Sequence, residues 1–168
     1  MVRENIMKWS TPTLSDEEAY SVRLPSSFKC DGCTAIAFQI STGMAVFHEK
    51  KYRKKKKMAP ESEVIELIEN ICDKKTFENY GLKQMGGINR LSGPGTEAEE
   101  EPGMMQGGGK WPNRLAMMCG EIAGELDEYD MYKAVVEDGP EKLFQLICQD
   151  NENSVLAGCM EKQMKDEL

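Results

Sequence analysis

Lys29-Cys30-Asp31-Gly32-Cys33-Thr34-Ala35-Ile36-Ala37-Phe38-Gln39-Ile40-Ser41-Thr42-Gly43-Met44-Ala45-Val46-Phe47 is the stretch that decides the fold. Within it Cys33, Ile36, Ala37, Ile40, Met44 and Phe47 recur at three- and four-residue steps. That spacing lays side chains along one stripe of an α-helix. Ser26 or Ser27 stands where a hydroxyl would cap its start. Two cysteines sit in the first turn, and four more, Cys72, Cys119, Cys148 and Cys159, fall at the ends or in the apolar stripes of later segments. An even set of six predicts a disulfide framework, provided the compartment is oxidising.

The far end of the chain supplies that compartment. Lys165, Asp166, Glu167 and Leu168 spell the signal that returns proteins to the endoplasmic reticulum, an address read by a retrieval receptor. Residues 1–9 lack the apolar core of a secretory leader, so a leader is expected to have been removed or to lie upstream of the assigned start. No apolar run is long enough to span a bilayer, and no membrane insertion is expected. A chain of 168 residues fits one domain, and its 21 lysines and arginines against 29 acids give a net charge of -8. That balance argues against nucleic acid as the principal partner.

Working outward, residues 1–24 read as a polar arm carrying Ser15-Asp16-Glu17-Glu18. The first helix fades into the lysine-rich residues 50–57, where dense like charge favours a solvated loop. Pro60-Glu61 opens a second helix, with Val64, Ile65, Leu67, Ile68, Ile71 and Cys72 on a broad apolar face. Gly81, Gly86 and Gly87 interrupt helical spacing, leaving residues 81–91 open to a short strand pair or an ordered loop. Residues 92–110, rich in Gly, Pro and Glu, read as a flexible insertion within one domain spanning 25–164. A third helix follows Trp111-Pro112, with Asn113 as its cap, and carries Leu115, Met118, Cys119, Ile122, Leu126 and Tyr129. Gly139-Pro140 stops it and starts a fourth, with Leu143, Phe144, Ile147 and Cys148.

Six cysteines allow fifteen pairings, and spacing alone does not choose among them. A compact leaf of four helices brings the chain ends together, which favours a nested set: Cys30–Cys159, Cys33–Cys148 and Cys72–Cys119. Other chemistry finds little footing. His48, the one histidine, stands beside the lysine run and reads as an exposed helix-end residue. Zinc needs a second close ligand pair, whereas Cys148 and Cys159 lie far apart in sequence, so no metal and no cofactor is expected. Gly107-Gly108-Gly109 lacks the Lys-Ser/Thr of a phosphate loop, and no Asn-x-Ser/Thr glycan acceptor occurs.

Several segments carry a family likeness: Asp16-Glu17-Glu18-Ala19-Tyr20-Ser21, Lys29-Cys30-Asp31-Gly32-Cys33, Ile71-Cys72-Asp73, Asn89-Arg90-Leu91-Ser92-Gly93-Pro94-Gly95 and Trp111-Pro112-Asn113-Arg114-Leu115. Together they resemble the canopy group of saposin-like lumenal proteins and, within it, the marginal-zone B-cell proteins of plasma cells. The resemblance spans about residue 15 to 168 and implies a mainly α fold, a disulfide-stapled saposin-like helical leaf of four to five helices. It also implies a co-chaperone of the endoplasmic-reticulum lumen that promotes folding, assembly and secretion of immunoglobulin M. Its implied partners are immunoglobulin heavy and light chains and the chaperones BiP and endoplasmin. Links to lumenal calcium stores and integrin activation, and a secreted form, come with it.

The residues admit two functions. In the first the chain is a binding protein rather than an enzyme, using pliable methionines, of which it has 12. Met104 and Met105 fall in the insertion, where no core buries them; Met117 and Met118 read as core, and Trp111 as half-buried packing. In the alternative, Cys30 and Cys33 form a weak thiol–disulfide oxidoreductase, their thiolates favoured by a helix N-terminus. Asp31 opposes that by like charge, and no strand–helix alternation of a thioredoxin type surrounds the pair.

Overall fold

Helix α2 (Lys29–Lys51) packs against every other long helix of the domain. In the computed structural model, which describes residues 12–149 and Cys159, α2 is flanked by α3 (Glu61–Ile71), α4 (Trp111–Glu125), α5 (Glu128–Asp138) and α6 (Pro140–Phe144). A short α1 (Asp16–Tyr20) precedes them, and a π turn, Gln145–Gln149, prolongs α6. The fold is therefore mainly helical and stapled by disulfides, as the sequence leads one to expect. Cys33, Ile36, Ala37, Ile40 and Met44 on α2 are all buried, and so are Val64, Ile68 and Ile71 on α3. Leu115, Cys119 and Ile122 of α4 close the same core with Met131, Tyr132 and Val135 of α5.

Between α3 and α4 the glycines take over. β1 (Gly81–Met85) and β2 (Ile88–Ser92) form an antiparallel hairpin in which Met85 faces Ile88 across a two-residue turn. Gly86 and Gly87 both have positive φ, 57° and 82°, the signature of a turn whose twist suits a hairpin. Of the two readings of this stretch, the strand pair is the one that folds. Residues 92–110 add a 3-10 turn, Glu97–Glu100, and a third strand, β3 (Met105–Gly107), which pairs with β1 on its other side.

Several expectations differ from the structure. Ser26 and Ser27 do not cap α2; they form a 3-10 turn with Phe28, and Phe28 occupies the cap position without a side-chain bond. The third helix is two helices. Leu126 leaves helical geometry, and Asp127 accepts hydrogen bonds from the Tyr129 and Asp130 backbone N–H groups to start α5 afresh. Asn113 lies inside α4 rather than at its cap, which falls on Lys110. The arm, from residue 12 onward, is docked. Arg114 is 1% exposed and donates to the carbonyls of Glu18 (2.8 Å) and Ser21 (3.0 Å). Burial lowers the pKa of that guanidinium, against the pull of Glu17 and Glu18. The retrieval sequence, residues 165–168, lies outside the described residues.

Candidate functional site

The N-terminal turn of α2 is the most heavily anchored point of the domain. Cys30 is bonded to Cys159, Cys33 to Cys148, and Cys72 to Cys119, with Cα–Cα distances of 5.2, 5.9 and 5.3 Å. These separations lie where a disulfide closes without moving backbone, about 4.4–6.8 Å. Cys30 and Cys33 are thus not bonded to each other, and no cysteine is free. Thiol–disulfide exchange starts from a thiolate, so the pair has no nucleophile to offer in this state. Three disulfides fit an oxidising compartment, lumenal or secreted. Among the described residues, no helix is long and apolar enough to cross a membrane, and no cluster of His, Cys, Asp or Glu could hold a metal ion.

Between those cysteines, Asp31 and Gly32 have different duties. Gly32 faces Leu24 and Met118 so closely that an added Cβ would stand 2.5 Å from a Leu24 methyl. Asp31 ties helix to sheet: Arg90 of β2 donates to both its oxygens, Nε to Oδ2 at 2.9 Å and Nη2 to Oδ1 at 2.8 Å. The Leu91 N–H adds a third donor at 3.3 Å. Arg90 also reaches Glu97 at 2.8 Å, and the Asp31 bond raises its pKa above the usual guanidinium value. Asp31 is therefore matched by a cation, which the sequence did not show. The signal lay within Asn89-Arg90-Leu91-Ser92, where an arginine sits among strand residues.

Beside this ion pair opens a cavity of about 500 Å³, walled by Cys30, Asp31, Thr34, Arg90, Glu97 and Glu100. A second hollow of about 530 Å³ adjoins it, lined by Phe38, Ser41, Ala45, Val46, Val135 and Pro140. Thr34, Gly95 and Phe144 belong to both, which makes them one groove along α2. Next to Gly95 of the groove, Pro94 is held by buried Tyr80, whose hydroxyl donates to the Pro94 carbonyl at 2.6 Å and accepts from Gln39 at 3.0 Å. Burial pushes the Tyr80 phenol up to about 12, so it stays a donor at neutral pH. Sequence reasoning missed this groove. Its trace was Phe38, Ala45 and Val46, apolar residues lying off the core stripe of α2.

The remaining candidates separate cleanly. His48 is half-buried, not an exposed helix end: its Nδ1 lies 2.5 Å from the Tyr132 hydroxyl, which also accepts the Ala59 N–H at 3.1 Å. Tyr52 stacks on the same ring and donates to Glu63. Trp111 is buried, 5% exposed, edge-on to Phe28 and covered by the Arg114 guanidinium at 4.5 Å, so it anchors the core rather than a partner. Met104 and Met105 are exposed, whereas Met117 and Met118 are half-buried. Of residues 50–57 only Tyr52 is buried; Lys51 and Lys55 lie over the rings of Phe47 and Tyr52.

A helical domain with all its cysteines bonded and an open groove along its longest helix belongs to the class of small disulfide-stapled helical proteins. No family model matches the chain. It is 34% identical over 144 residues to the marginal zone B- and B1-cell-specific protein of mouse (Mus musculus), a match covering 83% of this chain and 76% of that one. The proteins of the same name from rat (Rattus norvegicus) and human (Homo sapiens) are 33% and 32% identical over the same length, covering 76% and 75% of their own chains. The chain belongs to the marginal zone B- and B1-cell-specific protein family.

Proposed function

We propose that this protein is a co-chaperone of the endoplasmic-reticulum lumen that helps immunoglobulin M heavy and light chains fold, assemble and leave the cell. It works as a holder of unfinished chains beside BiP and endoplasmin, not as an enzyme. The observation that carries the reading is the open apolar groove on α2, with Phe38 and Val46 on its lip, in a molecule that offers no free thiol. Exposed apolar surface joined to a concave site is the chemistry that recognises an incompletely buried polypeptide. The relatives' name, which ties them to marginal zone B and B1 cells, supports immunoglobulin as the client. Lys165, Asp166, Glu167 and Leu168 support retention in the reticulum, where those clients are made. Links to calcium stores and integrin activation, implied by the family resemblance, belong to the same proposal.

The reading is tested by refolding immunoglobulin M heavy chain from denaturant with and without an equimolar amount of the purified protein, in the presence of BiP. Lower light scattering and more heavy chain paired with light chain are expected. Unchanged scattering and pairing overturn it.

A further inference from the structure

We infer that the groove along α2 receives an extended client segment of mixed character, a short apolar run followed by arginine or lysine. This deepens the co-chaperone reading and rests on it for the occupant being an unfinished chain. The groove follows one face of α2 from Cys30 to Val46 at three- and four-residue steps. Sixteen steps of helical rise give about 24 Å, enough for about seven extended residues. One end is mainly apolar, where Phe38 and Val46 are 41% and 47% exposed beside Ala45, Val135 and Pro140, with Glu141 its one charged lining residue.

The other end is acidic. Asp31, Glu97 and Glu100 line it against one guanidinium, that of Arg90, which already engages two of the three carboxylates. Two negative charges are left over, and a basic side chain is their complement. On the floor of the apolar end, between Phe38 and Val46 along α2, sits Ser41, 4% exposed, whose hydroxyl has no hydrogen-bond partner. A buried hydroxyl without a partner is unfavourable, and the backbone of a bound strand would supply one. The apolar wall, with the unpartnered hydroxyl on its floor, gives way to the surplus carboxylates along a single face, in the order an apolar-then-basic segment would meet them.

The probe is a fluorescein-labelled heptapeptide of four apolar residues, a glycine and two arginines, titrated with the full chain and read by anisotropy. Saturable binding is expected. Val46→Asp, on the exposed lip, should weaken it about tenfold or more, and Glu100→Lys about threefold. Ser41→Ala should weaken binding while raising the melting temperature, a split that a merely structural role for the hydroxyl does not produce. A peptide ending in two aspartates should not bind. No binding to the wild-type chain, equal affinity for Val46→Asp and Glu100→Lys, or equal binding of the acidic peptide overturns the inference. So do two reassignments. One is a dimer by sedimentation that Val46→Asp dissolves; the other is displacement of the probe by a synthetic peptide of residues 160–168. The refolding assay run with the same variants keeps the two proposals apart. Suppression by wild type and equally by Val46→Asp sinks the groove and leaves the co-chaperone reading standing. No suppression by wild type sinks that reading, and the peptide titration still judges the groove.

Discussion

At the scale of single residues, the Asp31–Arg90 pair does what neither cysteine beside it does: it fixes the angle between α2 and the hairpin. Its side chains are 13% and 29% exposed, between the surface pairs that contribute about 0–1 kcal/mol and the buried ones whose breakage costs about 3–5 kcal/mol. Arg90→Ala leaves Asp31 with the Leu91 N–H as its remaining donor. We expect a loss of about 2 kcal/mol in urea unfolding with disulfides intact. Arg90→Lys should recover less than half of it, because an ammonium cannot reproduce the two-point fork. A change within error for Arg90→Ala would show that the disulfides alone hold the helix in place. Asp31 was legible as a charge in the Cys30–Cys33 spacer, yet its partner lies 59 residues away, and no local rule connects the two.

At the scale of elements, the break between α4 and α5 shows where periodicity misleads. Leu115, Cys119, Ile122 and Leu126 keep helical spacing straight through the break, because both helices present their apolar faces to the same core. Asp127 is what divides them, since its carboxylate takes up two of the N–H groups that a new helix start leaves unbonded. Asp127→Ala should cost about 1 kcal/mol and Asp127→Asn only a few tenths, measured by chemical unfolding. Equal losses for the two would mean that the side chain's hydrogen bonds are not what starts α5. The hairpin teaches the converse. Gly86-Gly87 is a strong turn signal, but β3 joins the sheet from a stretch whose Gly, Pro and Glu give no strand pattern. Its pairing depends on Gly81, where an added Cβ would collide with the Gln106 and Gly107 backbone.

At the scale of the molecule, the disulfides span 129, 115 and 47 residues, and each long loop they close contributes about 2–4 kcal/mol through the unfolded state. Cleavage before Asp31 under non-reducing conditions separates Cys30 from Cys33. Mass spectrometry of such a digest should find the Cys30–Cys159, Cys33–Cys148 and Cys72–Cys119 peptide pairs and no alkylated thiol. An alkylated Cys30 or Cys33 would restore a nucleophile to the redox alternative. The sequence by itself determined the helical class, the core stripes of α2 and α3, and the even cysteine set, because these rest on local periodicity and composition. Only the tertiary structure decided that Arg90 faces Asp31, that His48 and Trp111 turn inward, and that Phe38 and Val46 border a groove. Those outcomes depend on which surfaces meet across tens of residues, and the spacing of side chains along one segment carries no record of what lies opposite.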